Sequence, residues 1–276
     1  DALSGSVEDA DAQTARAQPL FGGPGMHAPR ECWQRSLLTA LFMTQEAAEE
    51  AARLLAVQDY FAGSSVTGVL PLPDQDWVRL TQAQFAPVAI TPDFWIVPSW
   101  HEAPAQARQL IRLDPGLAFG TGTHPTTRMC LRWLAQSPGV AGARVLDYGC
   151  GSGILAIGAA KYGAAQVDAV DIDPAAVATA RDNAANNATS LCSGLPDMVE
   201  PAQARYGIVL ANILASPLKV LAPLLYAHLA PGGYLVLAGI LERQTQELQE
   251  AYAPDIELSV ADVQDGWVLL TGRRTV

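Results

Sequence analysis

The chain has 276 residues, half of them hydrophobic and 16% charged, with a formal net charge of −11. That length favours two domains, and no apolar run approaches the roughly 18 residues that span a bilayer, so no membrane role is expected. The acidic balance makes the chain a poor nucleic-acid binder, because phosphate contacts need Lys and Arg.

The charge is uneven. Residues 1–104 hold 5 Lys+Arg against 13 Asp+Glu, and the remainder 12 against 15. An acidic N-terminal part suits a basic polypeptide partner, although acidity also serves solubility. The four cysteines (Cys32, Cys130, Cys150, Cys192) show no C-x-x-C and no Cys/His ligand spacing. Reduced thiols, no metal and a cytoplasmic setting follow as expectations. No signal segment opens the chain.

In chain order, Ala2–Val7 is already strand-like, and with no methionine before Asp1 upstream residues are expected to be missing. Ser36–Met43 reads as a strand, and Gln45–Val57 as a helix with Thr44 as its cap. Val66–Leu70, Pro87–Ile90 and Phe94–Val97 are further strand candidates. A small α+β domain over 1–97 is the expectation, followed by a linker over 98–107. Arg108–Leu113 then reads as a strand, 115–123 as a Gly-Thr loop, and His124-Pro-Thr-Thr opens a helix to about Ala135, with Pro125 in the first turn.

From Arg144 onward strands and helices alternate. Strands are expected at 144–149, 166–171, 207–211, 233–238, 255–261 and 267–272, with helices at 154–162, 174–186, 217–229 and 242–252. Such alternation means a doubly wound α/β sheet over 108–276, closed by an antiparallel edge hairpin around Gln264-Asp265-Gly266.

The most informative stretch is Val145-Leu-Asp-Tyr-Gly-Cys-Gly-Ser-Gly-Ile154, with Asp171 ending the next apolar run. It reads as strand, glycine turn (Gly149, Gly151, Gly153) and helix, the corner where such sheets cradle a nucleotide. A dinucleotide fingerprint needs a glycine where Ile154 stands. Asp147 also enters the turn with no Lys or Arg before Lys161, which would repel phosphate but suit an ammonium and a sulfonium. Asp171 has the spacing to hold both ribose hydroxyls. These residues point to S-adenosylmethionine as the cofactor.

Asn212 ends the strand at 207–211, where its amide could accept a hydrogen bond from an incoming amine and aim its lone pair. As a structural residue it would be a strand-end turn former. In the 113–127 loop, Thr121, Thr123, Thr126 and Thr127 offer hydroxyls and Phe119 an aromatic face for adenine. His124 is a candidate proton acceptor, with helix-start hydrogen bonding as the alternative.

The segments LDPGLAFGTGTHPTT (113–127), VLDYGCGSGILAIGAAKYGA (145–164), VDIDP (170–174) and ANIL (211–214) resemble the bacterial ribosomal protein L11 methyltransferases. DQDWVRLTQAQFAPVAI (74–90) and FWIVPSWHEAP (94–104) resemble that family's interdomain stretch. The resemblance implies a class I Rossmann-like methyltransferase domain behind a ferredoxin-like substrate-recognition domain that is incomplete at its N-terminus. It implies trimethylation of lysine side chains and of the N-terminal α-amine of one large-subunit ribosomal protein. The acidic first domain favours the free protein over RNA as substrate, and a monomeric enzyme is expected. Its cofactor contacts fall on Thr127, Gly149, Asp171 and Asn212.

The segment 187–196 is short for the strand expected before Asn212, so a reduced sheet edge is predicted. Methylation of a small amine, another protein or a nucleobase stays open, as does a non-catalytic adaptor that binds S-adenosylmethionine. Ala-Asn-Ile-Leu lacks the Pro-Pro-aromatic run that would stack on a base, which disfavours the nucleobase.

Overall fold

The computed structural model describes residues 3–10, 35–61, 63–71, 85–114, 122–200 and 206–275. It divides into two compact units, Asp1–Asp76 and Trp77–Val276. In the first, strands β1 (Ser4–Asp9) and β2 (Ser36–Leu41) pair antiparallel with Val7 opposite Leu38. Helix α1 (Gln45–Ala56) follows, and the Thr44 hydroxyl accepts from the Ala47 N–H at 3.2 Å, the expected cap. Val66–Leu70 forms no strand: Val66 and Leu70 are both exposed, so the alternation there buries no face.

The second unit opens with a three-stranded sheet of β3 (Val88–Ala89), β4 (Phe94–Val97) and β5 (Gln109–Arg112). The segment 98–107, read from sequence as an interdomain linker, instead connects β4 to β5, which pair in parallel within this one unit. Burial explains the difference. Phe94, Ile96, Val97 and Ile111 are buried, and Phe94 meets the Tyr162 ring edge-on at 5.2 Å. Asn187 clamps β5 by accepting from the Arg112 N–H and donating to its carbonyl, both at 2.7 Å.

Helix α2 (Pro125–Gln136) precedes the main sheet. That sheet contains β6 (Arg144–Tyr148), β7 (Gln166–Val170), β8 (Cys192–Gly194), β9 (Tyr206–Asn212), β10 (Leu229–Leu241), β11 (Leu258–Gln264) and β12 (Trp267–Arg273). Their order is β11-β12-β10-β9-β6-β7-β8, parallel from β10 to β8 and antiparallel at β12 and β11. Between them lie α3 (Ile154–Lys161), α4 (Pro174–Asn186), α5 (Ala215–Val220), α6 (Ala222–His228) and α7 (Thr245–Tyr252). This is the class I methyltransferase arrangement, and the edge strand β8 is only three residues long, as the short 187–196 segment predicts.

Helices cover both faces of the sheet. Val145, Ile208 and Leu210 pack on one side with Met129, Leu131 and Ile157. Leu146 and Val209 pack on the other with Leu218, Leu225 and Leu248. Double burial is why these strands read as unbroken apolar runs. The helix expected at 217–229 is two helices meeting at Leu221, because Pro223 supplies no N–H to continue the ladder. β10 begins four residues earlier than expected, with a register shift between Leu229 and Tyr234 that absorbs Pro231, Gly232 and Gly233. At the β11–β12 turn, Asp265 and Gly266 have φ of 52° and 77°, the two left-handed residues of a tight hairpin. Among the described residues no helix is long and apolar enough to cross a membrane.

Candidate active site

β6 and β9 are neighbours, but the chain leaves β6 toward β7 and leaves β9 toward β10. The connections diverge there, opening a crevice beyond the carboxyl ends of the two strands, where open α/β sheets bind ligands. The glycine turn follows β6, and Asn212 ends β9.

The turn is held by its backbone. The N–H groups of Gly149 and Cys150 both donate to the Val170 carbonyl, at 2.8 and 3.0 Å. Gly149 has φ 82°, and a Cβ there would overlap the Ile213 side chain. Its glycine is therefore required both by conformation and by the approach of the residue after Asn212. Gly153 (φ 77°) caps α3, and a Cβ there would lie 2.8 Å from Cβ of Ala180 on α4. Gly153 is buried and supports the turn, whereas Gly149 and Gly151 are partly exposed and can face a ligand.

Asp147 lies beneath the turn, 1% exposed. Its Oδ2 accepts from the Ala156 N–H at 3.0 Å, tying β6 to the first turn of α3. Its Oδ1 is buried with no hydrogen-bond partner among the described residues. Burial pushes this carboxyl up to about 7, against the Ala156 N–H, which lowers it; the Asp171 charge adds to the rise. An unpartnered buried carboxylate oxygen fits a cationic ligand above the turn and opposes a phosphate.

Asp171 sits at the rim, half-buried. Its Oδ2 accepts from the Gly151 N–H at 2.9 Å and its Oδ1 from the Asp173 N–H at 3.0 Å. Each oxygen keeps acceptor capacity, so the fixed carboxylate is suited to a vicinal diol. Next to it Ile172 is 83% exposed, and Leu195 and Met198, beyond β8, are each 42% exposed. Exposed aliphatic side chains of this kind suit the face of a base. Sequence reasoning missed all three; the signal was an isoleucine between two aspartates in Val170-Asp-Ile-Asp-Pro174.

Across the crevice, Nδ2 of the half-buried Asn212 donates to the Thr127 hydroxyl oxygen at 3.3 Å. Thr127 is 0% exposed. His124 is the N-cap of α2: its Nδ1 accepts from the Thr126 N–H at 3.3 Å and lies 2.8 Å from the Thr126 hydroxyl. Its ring meets Trp267 edge-on at 4.9 Å. Burial, and then the charge of Arg128, hold the His124 pKa below its ordinary value. Phe119 and Thr121 lie outside the described residues. Asp147, Gly149, Gly151, Gly153, Asp171 and Asn212 thus gather at one crevice, with Thr127 behind Asn212 and His124 capping the helix that carries Thr127.

The family model for ribosomal protein L11 methyltransferases matches residues 1–275 of this sequence. The chain belongs to the ribosomal protein L11 methyltransferase family. A curated ribosomal protein L11 methyltransferase of a Polaromonas species is 62% identical over 276 residues, covering 99% of this chain and 91% of that protein. One from Cupriavidus metallidurans is 50% identical over 281 residues, with 99% and 89% covered. Among solved structures, a ribosomal protein L11 methylase from Lactobacillus delbrueckii subsp. bulgaricus superposes with a TM-score of 0.64 at 32% identity. That match covers 70% of this chain and 100% of the solved one.

Membership of the L11 methyltransferase family agrees with the donor set. The crevice offers a buried carboxylate below the turn, a braced carboxylate at the rim and an amide opposite, groups that suit the sulfonium, diol and amine chemistry of methyl transfer from S-adenosylmethionine.

Proposed function

We propose that this chain transfers methyl groups from S-adenosylmethionine to amino groups of ribosomal protein L11, on lysine side chains and on the N-terminal α-amine. The reading is carried by one juxtaposition: Asn212 faces the glycine turn and Asp171 across the β6/β9 crevice in a member of the L11 methyltransferase family.

When bound, S-adenosylmethionine supplies an electrophilic methyl group on a sulfonium. Asp171 would hold the ribose, Gly149 and Gly151 would let the ligand approach their backbone, and Asp147 would offset its positive charge. Asn212 Oδ1 accepts a hydrogen bond from the substrate amine and aims its lone pair along the line of attack. Positioning is the main contribution a protein makes to such an in-line displacement. The amine must first be neutral, and for an unperturbed lysine at pH 7 that costs about 4.6 kcal/mol. A desolvated pocket lowers the amine pKa and offsets part of this.

The acidic N-terminal portion, with 5 Lys+Arg against 13 Asp+Glu in residues 1–104, recognises the basic substrate and repels rRNA. The proposed substrate is therefore free L11, with no direct nucleic-acid contact, and a cytoplasmic monomer completes the proposal. Labelled methyl transfer to free L11, to assembled large subunits and to naked rRNA tests this. Faster labelling of free L11 is expected, and a higher rate on rRNA overturns the reading.

A further inference from the structure

We infer that Leu214 is a specificity-determining residue, an apolar ledge beside Asn212 for the aliphatic stem of the substrate lysine. The inference rests on the proposal that Asn212 receives a lysine amine. Leu214 stands two residues beyond Asn212, within about 7 Å along the chain, and is 63% exposed.

A lone exposed leucine is ordinary, but this one also occupies the N-cap of α5. Its carbonyl accepts the first helical hydrogen bond, from the Leu218 N–H at 3.2 Å, while its side chain caps nothing. Ser, Thr, Asp and Asn are the residues that satisfy such a helix start. Elsewhere the chain follows that rule: the side chains of Thr44, His124 and Asp173 cap α1, α2 and α4. Helix α3 starts at a glycine that its turn requires, and α6 and α7 continue from a preceding helical turn. Leu214 thus breaks the capping rule and the burial rule at one position, and such conflicts concentrate at functional sites.

Its place fits the reaction. The glycine turn and Asp171 follow β6 and β7, on one side of β9, and α5 leads the other way, against β10 and α7. Ile213 turns back toward Gly149 and packs into the core, which leaves Leu214 on the side of Asn212 away from the cofactor residues. In an in-line displacement the nucleophile attacks opposite the leaving sulfur, so the lysine stem leaves Asn212 on that same side. Its four methylenes can lie on apolar surface while the amine reaches inward. The N-terminal α-amine has no such stem.

Leu214→Ser tests this because it moves stability and specificity in opposite directions. Serine supplies the cap, so the melting temperature should rise by about 2 °C. Site-resolved masses on free L11 should show kcat/KM down about fivefold at the lysines and within about twofold at the α-amine. The S-adenosylmethionine Kd, read by calorimetry, should stay within about twofold. Leu214→Met, which keeps an apolar side chain, should bring the lysine rates back to within about twofold of wild type. An equal loss at the α-amine overturns the inference, as does a loss that comes with a lower melting temperature or weaker cofactor binding. A wild-type chain that leaves the lysines unmodified sinks the proposed function and the inference with it. An active wild type matched by Leu214→Ser at every lysine sinks the inference alone.

Discussion

The backbone N–H of Gly151 donates to Oδ2 of Asp171 at 2.9 Å, so the glycine turn and the carboxylate that ends β7 form one rigid unit. The other oxygen is braced by the Asp173 N–H, which leaves a preset carboxylate for a diol. Asp171→Ala removes two charge-assisted acceptors from the backbone and the ribose contact together. S-adenosylmethionine Kd should rise roughly 100-fold, a loss of about 3 kcal/mol, while Asp171→Asn, which keeps one acceptor, falls between. Calorimetric titration reads both, and an unchanged Kd for Asp171→Ala would remove Asp171 from the site.

Asp147 makes folding stability depend on pH. Its ordinary pKa is about 4, and burial raises it to about 7 in the folded chain. Between those values the folded chain holds a proton that the unfolded chain has released, so stability falls as pH rises through this window. Asp147→Asn removes the titration. From pH 5 to pH 8 the wild type should lose about 3 kcal/mol relative to Asp147→Asn. Urea unfolding at the two pH values measures this, and parallel losses contradict it.

Much of this site was legible in the sequence because local rules decided it. Gly149, Gly151 and Gly153 were marked by spacing, and all three have positive φ. Asp171 was marked by distance from the turn, Asn212 by standing at a strand end, and Thr44 by preceding an amphipathic run. Other features depend on what packs against what. Nothing in the order of residues says that Asp147 lies under the turn, or that Thr127 faces Asn212 from 85 positions away. The segment 98–107 has linker composition, but its place was decided by the pairing of β4 with β5. Val66–Leu70 has a strand's residues and no face to bury.

His124 separates two roles that the sequence left open. As a cap its Nδ1 must stay unprotonated, which the lowered pKa favours near neutral pH. His124→Asn retains a capping acceptor and should keep kcat within about threefold, with His124→Ala losing about 1 kcal/mol of stability. A 100-fold fall in kcat for His124→Asn would instead mark the imidazole as a proton acceptor.

Gly239 and Gly142 offer a matched pair. Both have left-handed backbones, with φ of 86° and 76°. A Cβ on Gly142 meets nothing within 4 Å, whereas one on Gly239 overlaps the Ile213 carbonyl. Gly142→Ala should cost only the backbone preference, about 1 kcal/mol. Gly239→Ala should cost at least about 3 kcal/mol and lower kcat by displacing the turn that carries Asn212. Melting temperatures and initial rates test the pair, and equal effects would mean that Ile213 yields easily.

The most direct test of the central claim is the intact mass of free ribosomal protein L11 after incubation with this chain and S-adenosylmethionine, with Asp171→Ala as the blank. Successive additions of one methyl mass each, up to three per amino group and absent from the blank, are the predicted result. Cofactor binding without any mass change on L11 would contradict the account.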